Sequence, residues 1–153
     1  MGWLDSLPLG KRLFAKLTLD EKRQALELDD FYLQSILDAR QGKARVMEVG
    51  TDTGFVKKMT DADLRQAIEI VRLQKRAKTA GDTGRHREAI DLYEQIVRKV
   101  PFDSIALMSL GVQYAYLREG RKAVHYLEKA LKADPGNGRI RGNLEAVRDD
   151  FGL

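Results

Sequence analysis

Apolar side chains recur at steps of three and four residues along most of this chain, which is the spacing of one face of an α-helix. Four helix starts carry a polar side chain that can bond to the free amides of a first turn. They are the capping boxes Thr18–Glu21 and Thr60–Asp63, then Asp103 or Ser104 after Pro101, and Asn137 after Pro135 and Gly136. The pattern therefore predicts an all-α protein.

The first start predicts a single helix of about 20 residues that ends at Gly42. The second predicts a helix that continues without a breaker to Gly81. Between them, residues 44–58 show no helical period. They predict either a short β-hairpin, with residues 45–49 and 55–57 as its arms, or a polar tether.

The second half of the chain repeats itself at an interval of 34 residues. Pro101 and Pro135 stand 34 residues apart, and their surroundings match at the same interval. The matched pairs include Leu73/Leu107, Ala77/Gly111, Ala80/Tyr114, Ala89/Ala123, Ile90/Val124, Tyr93/Leu127, Ile96/Ala130 and Val97/Leu131. A period of this length is typical of arrays of paired helices.

On these residues, the stretch 70–137 resembles two tetratricopeptide (TPR) repeats, and Gly138 to Asp150 resembles a terminal capping helix. The small residues Gly111 and Ala123 fit because they let two helix backbones approach closely. The two repeats differ at the turn between their helices. The glycine lies five residues before Ala89 in the first repeat (Gly84) but three residues before Ala123 in the second (Gly120). We therefore expect an N-terminal helical extension, 1–59, followed by a TPR-like repeat domain with its capping helix, 60–153.

The resemblance implies an α-α superhelix in which the first helix of each repeat lines a concave groove. The groove residues it implies are Val71, Gln74, Lys78, Ile105, Met108, Val112 and Ala115. Among residues of this face only Lys78, Arg139 and Asn143 are polar donors, which argues against a receptor for C-terminal carboxylates.

The segment Ser104 to Leu117 is apolar on nearly every side, so something must cover the side that does not face its own repeat. A protein partner, a second copy of the chain, or the N-terminal segment would each do so. We expect a protein–protein interaction scaffold or adaptor that binds a partner peptide or helix in this groove. The alternative of a self-associating structural unit remains open.

Residues 1–17 alternate apolar and basic side chains, with Trp3, Leu7, Lys11 and Phe14 as the main examples. A segment of this kind either lies on a membrane surface or docks on its own domain. A peripheral membrane-recruitment factor is therefore a second alternative for the function.

Composition and charge narrow the remaining chemistry. The chain has 153 residues, a formal charge of +4 that is thinly spread, and no cysteine. The basic residues Arg72, Lys75, Arg76 and Lys78 are more typical of a solvated face than of a nucleic-acid site, because no aromatic residue lies among them. His86 and His125 have no paired nucleophile or ligand set. We expect no enzyme, cofactor or metal. We expect a cytoplasmic protein, with the periphery of a membrane as the alternative location.

Overall fold

The computed structural model describes residue 14, residues 16–43 and residues 54–153. Across that part of the chain it contains only helices, and the predicted all-α class is confirmed. The α-helices are α1 (Leu19–Glu27), α2 (Asp30–Arg40), α3 (Asp61–Asp82), α4 (His86–Lys99), α5 (Ser104–Tyr116), α6 (Gly120–Ala133) and α7 (Gly138–Phe151), with one 3-10 helix at Gly54–Lys58. The chain divides into two compact units, 1–72 and 73–153.

The start of the first unit follows the predicted capping chemistry, but the long helix expected after it is interrupted. The Thr18 hydroxyl accepts from the Glu21 amide at 3.2 Å, and the Glu21 carboxylate accepts from the Thr18 amide at 2.8 Å. The helix then ends because Leu28 adopts extended backbone torsions and the Asp29 carboxylate accepts from the amide of Phe31 at 2.8 Å. Asp29 thus starts a second helix, and the prediction of one continuous helix was wrong.

The end of α2 and the segment that follows are joined by one side chain. Gly42 follows α2 with a φ of 72°, as predicted for a helix stop. The Arg40 guanidinium donates to the carbonyl oxygens of Met59 at 2.5 Å and Val56 at 2.9 Å. Residues 55–57, one predicted hairpin arm, lie in the 3-10 helix and not in a strand. The other arm falls at positions 44–53, outside the described residues.

In the second unit, the 34-residue period of the sequence is also a period of the backbone. Helices α4 and α6 begin at His86 and Gly120 and end at Lys99 and Ala133, so both pairs of ends differ by 34 residues. Consecutive helices from α4 to α7 pack against one another, while α5 contacts α7 only slightly. This unit is therefore helical-repeat-like, with adjacent helices packed against one another.

The two turns of the repeat are closed by the same hydrogen bond. The amide of Arg85 donates to Ala80 O at 2.8 Å, and the amide of Glu119 donates to Tyr114 O at 3.0 Å. The residue before each donor has positive φ, 80° at Gly84 and 60° at Arg118. The second turn therefore uses Arg118 where the first uses glycine, which locates the turn that the shift from Gly84 to Gly120 had left open in the sequence.

Gly120 has a different role, because it makes room for an aromatic ring. A Cβ at this first residue of α6 would lie 2.5 Å from Cγ of Phe151, which is on the last turn of α7. The missing side chain therefore allows the end of α7 to pack on the start of α6.

The predicted close approach of α5 and α6 is confirmed. A Cβ at Gly111 would lie 2.6 Å from Cγ of Leu127 and 3.0 Å from the carbonyl oxygen of Ala123. Ala123 and Leu127 are both fully buried. The small residues at 111 and 123 are therefore required for the distance between these two helices.

The caps predicted for the last helices are also present. The Asp103 carboxylate accepts from the Ala106 amide at 3.1 Å and starts α5. The Asn137 side chain accepts from the amides of Arg139 and Ile140 and starts α7. Helix α7 buries one stripe, formed by Ile140, Leu144 and Val147. Helix α5, which carries four of the seven predicted groove residues, and helix α7 thus begin where the sequence places them.

Candidate binding surface

Helix α5 is the central element of the proposed groove, and its residues differ widely in accessibility. Its buried residues are Ser104, Ala106, Leu107, Met108, Leu110, Gly111, Gln113 and Tyr114. The remaining side is only partly covered: Ile105 is 37% exposed, and Val112 and Ala115 are half-buried. Because α5 packs against both α4 and α6, this side is the one on which a ligand can reach the helix.

The other groove residues implied by the resemblance are not equally available. Met108 is only 3% exposed, so it cannot touch a partner unless its surroundings move. Val71 is also buried and belongs to the first unit, 1–72. Gln74 is half-buried, whereas Lys78 is exposed. The accessible groove positions are therefore Lys78 and Ile105, with partly covered neighbours.

One accessible aromatic residue continues the stripe and was missed in the sequence. Tyr116, at the end of α5, is 65% exposed. It lies four residues after Val112, so the steps of three and four that begin at Ile105 extend to it. The sequence signal was present, since Ile105, Val112 and Tyr116 share a helical face. We define the α5 stripe as Ile105, Val112, Ala115 and Tyr116.

At the start of the α5 stripe, the carboxylate of Asp103 accepts two hydrogen bonds. One oxygen of Asp103 caps α5, and the other accepts from Gln74 Nε2 at 2.8 Å. Asp103 is 5% exposed. The bond fixes the amide of Gln74 on α3 relative to the first turn of α5, so Gln74 is a positioning residue for this end of the surface.

Two of the basic residues noted in the sequence are paired with carboxylates. Lys78 Nζ lies 2.6 Å from Asp82 Oδ2, and this hydrogen bond raises the pKa of Lys78. In the first unit, Arg72 is paired in the same way, with its Nε 3.2 Å from Asp30 Oδ2. Arg72 and Lys78 are therefore each compensated by a carboxylate, whereas the solvated face stays a prediction.

A buried phenol links α4 to α5. Tyr93 on α4 is 6% exposed, and its side chain is hydrogen-bonded to that of Ser109. Burial raises the pKa of Tyr93, and the bond to Ser109 opposes that effect. The neutral phenol therefore acts as a fixed hydrogen-bonding group under α5.

The far end of the α5 stripe is ordered by a histidine. His86 Nδ1 lies 2.7 Å from Gln113 Oε1, and the imidazole stacks on Tyr116 with ring centres 4.7 Å apart and planes inclined by 7°. The stack fixes the orientation of the exposed phenol ring. His86 thus has a structural explanation in this geometry, and His125 is an exposed residue of α6.

Of the four residues predicted to lie on a membrane or to dock on the protein, only Phe14 is described by the structure. Phe14 is fully buried, and its amide donates to Asp63 Oδ1 at 3.3 Å. Its φ of 58° shows that the chain turns sharply here. Phe14 is therefore docked in the first unit, while Trp3, Leu7 and Lys11 lie outside the described residues.

The described residues show neither a cluster of metal ligands nor a membrane-spanning helix. No group of three or more metal-ligating side chains is close enough together to hold an ion among them. No helix in the same part of the chain has the length and apolar character required to cross a bilayer.

The arrangement can offer a partner an apolar stripe, an oriented phenol and a weakly charged edge. Comparison with known proteins adds no further constraint: no family model matches the chain, and no curated protein or solved structure is significantly similar to it.

Proposed function

We propose that this chain is a tetratricopeptide-type interaction module, a cytoplasmic scaffold or adaptor that binds a segment of a partner protein along the α5 stripe. The observation that carries the proposal is the partial exposure of Ile105 and Tyr116 on a helix whose other sides are buried and apolar. An apolar surface rimmed by polar groups is typical of interaction sites.

The 34-residue backbone period supports the same function. Paired helices repeated at this interval form extended surfaces from their first helices, and such surfaces commonly bind peptides and helices. The spacing of Ile105, Val112 and Tyr116 is that of one helical face, on which the half-buried Ser109 lies between Ile105 and Val112. A partner would therefore meet an apolar face with one polar position in it.

The partner would be anchored by apolar contacts and oriented by the ends of the stripe. At one end lies the Gln74–Asp103 hydrogen bond, and at the other the phenol ring of Tyr116, stacked on His86. Aromatic anchors of this kind often dominate binding energies. We therefore expect Tyr116 to contribute more to affinity than Val112 or Ala115.

The test is partner capture from a native lysate with paired variants. Ile105→Asp with Tyr116→Asp removes two exposed apolar contacts from the stripe and introduces charge. The matched control, Phe31→Asp with Leu153→Asp, changes two exposed apolar residues elsewhere. Met108 is left intact because a charge at this buried position would destabilise the fold and confuse the result.

The proposal expects the stripe variant to lose specific partners that the wild type and the control variant both retain. All three proteins should keep the same helical signal in circular dichroism. Retention of every partner by a folded stripe variant would refute the α5 stripe as the binding surface.

A further inference from the structure

Helix α6 carries a second surface that the proposed groove does not use. Its exposed residues are Arg121, Lys122, His125, Glu128, Lys129 and Lys132. All of them except Glu128 are basic, and none is apolar. The groove residues named above lie on α3 and α5, so a ligand on this face would occupy a different site.

The repeat itself shows that the fold does not require this charge. Helix α4 occupies the position of α6 one period earlier, with matching ends. At the positions of Lys122, His125 and Lys129 it carries Glu88, Asp91 and Gln95, which are also exposed. The same backbone is therefore compatible with acidic and neutral residues, and the basic character of α6 needs another explanation.

The distribution of charge along the chain points to the same helix. The first unit contains 12 basic and 12 acidic residues, and the second contains 15 and 11, so the second unit holds the whole net charge. Helix α6 has four lysines and arginines and one carboxylate. Most of the positive excess of the protein thus lies on one helix.

The basic groups form a straight row. Lys122, His125, Lys129 and Lys132 follow one another at steps of three, four and three residues, which keeps them on one side of α6. At a rise of about 1.5 Å per residue the row is about 15 Å long. We define the α6 row as these four residues.

The carboxylates near the α6 row neutralise only part of it. Lys122 Nζ lies 3.0 Å from Glu119 Oε2 at its N-terminal end. Glu128 is bonded to Arg148 of α7 at 2.6 Å and does not pair with the row. Within the described part of the chain, Lys129 and Lys132 form no ion pair with a carboxylate, so the rest of the row keeps its charge.

The surroundings of the α6 row discriminate between classes of anionic ligand. No exposed apolar side chain of α6 is available for insertion into a bilayer. Two aromatic rings lie beside the row, with Lys122 Nζ 5.3 Å from the ring centre of Tyr114 and Lys129 Nζ 5.8 Å from that of Tyr126. The two rings stack on each other at 5.4 Å, so neither is free to stack on a nucleic-acid base. A narrow row flanked by Glu119 and Glu128 also fits a single polypeptide segment better than a broad phosphate surface.

We propose that the α6 row binds an acidic helical segment of a protein partner, whose carboxylates recur at steps of three and four residues. The two helices would lie along each other, so each lysine of the row would meet a carboxylate, and the His125 ring would donate a hydrogen bond to one. Exposed ion pairs are individually weak and sensitive to salt, and the row would act through several of them together.

The experiment uses the full chain and a defined probe. The probe is a fluorescein-labelled helical peptide of about 20 residues, built from alanine and from glutamate on one face at steps of three and four. A second peptide has the same composition with its glutamates distributed around the helix. Binding is measured by fluorescence anisotropy at about 50 mM and about 200 mM salt.

The protein variants exchange residues between the two matched helices. The loss variant, Lys122→Glu, His125→Asp and Lys129→Gln, gives α6 the residues that α4 has at those positions. The gain variant, Glu88→Lys, Asp91→His and Gln95→Lys, builds a row on α4 that ends at the existing Arg98. Each introduced residue already stands at the matching position of the other helix, 34 residues away, so its backbone setting is known to accept it.

The wild type should bind the one-faced peptide more tightly at the lower salt concentration and more tightly than it binds the second peptide. The loss variant should bind about tenfold more weakly, because three weak pairs are lost or reversed. The gain variant should bind more peptide per chain, and this result decides the question if the loss variant does not fold.

Equal binding by the wild type and a folded loss variant would overturn the proposal, and so would equal affinity for the two peptides. Binding to phosphatidylserine vesicles or duplex DNA with no binding to the peptide would also overturn it, because the row would then serve another class of anion.

Discussion

Substitution of Gly111 by alanine tests the close contact between α5 and α6. In an exposed helix interior this change stabilises by about 1 kcal/mol, because alanine restricts the unfolded chain and favours the helix. At Gly111, however, the new Cβ would lie 2.6 Å from Leu127 Cγ and 3.0 Å from Ala123 O. Neither atom is the free end of a side chain, so the two helices must separate.

The expected size of the effect follows from these opposing contributions. Overpacking a filled core costs about 1–3 kcal/mol, and the upper part of that range applies because one of the contacts is with backbone. After the helix-propensity gain of about 1 kcal/mol, we expect Gly111→Ala to lower the free energy of unfolding by about 2 kcal/mol.

The matched control is Gly142→Ala, in the interior of α7. Gly142 is exposed, and a Cβ there meets no atom within 4 Å. This variant should gain up to about 1 kcal/mol, so the same chemical change has opposite signs at the two positions.

The assay is urea unfolding of both variants, followed by circular dichroism at constant temperature. A shift in the midpoint at unchanged slope reports the change in stability. If Gly111→Ala were as stable as the wild type while Gly142→Ala gained stability, the helices would have room for a Cβ and the close-contact argument would be wrong.

Three further predictions concern a cap, a turn and a buried phenol. Asp103→Ala should lower the free energy of unfolding by about 2 kcal/mol, since it removes the α5 cap and the bond from Gln74; Asp103→Asn, which keeps a capping oxygen, should lose less in the same urea assay. Gly84→Ala should cost about 1 kcal/mol in thermal unfolding, because the φ of 80° is strained for any residue with a Cβ. The pKa of Tyr114 is raised from 10.0 to about 12, mainly by burial and then by Glu94. The wild type should therefore lose stability as the pH rises from about 10 to about 12, and Tyr114→Phe should reduce this fall in melting temperature.

Features governed by neighbouring residues could be predicted from the sequence. The Thr18 capping box and the Asn137 cap depend on side chains within three residues of the amides they satisfy, so residue type and spacing were sufficient. The 34-residue period was equally visible, because each repeat must bury the same positions. Its backbone counterpart at Gly84 and Arg118 follows from the same packing.

Features that depend on competition between local and distant contacts could not be predicted. The apolar pattern runs through Leu28, and nothing in it shows that the Asp29 carboxylate will start a new helix there. At the second turn, a glycine would be expected for positive φ, but Arg118 adopts that conformation next to the closing bond from the Glu119 amide to Tyr114 O.

The candidate surface shows the same division. Helical spacing identifies the side of α5 that carries Ile105 and Met108, but it does not give the depth at which each side chain lies. Met108 is nearly inaccessible and Ile105 is 37% exposed, although they are only three residues apart. The identity of a partner depends on another molecule, so neither helical spacing nor burial in this chain could predict it.

The two turns have the same backbone hydrogen bond, and this has a consequence for the number of repeats that such a chain can contain. The hydrogen bonds Arg85–Ala80 and Glu119–Tyr114 close turns of the same type. Either turn could therefore connect the same pair of helices. A segment one period long, inserted at either turn, would leave the flanking torsions unchanged. The unit is therefore modular, and its length can vary by whole repeats without a new connection having to be invented.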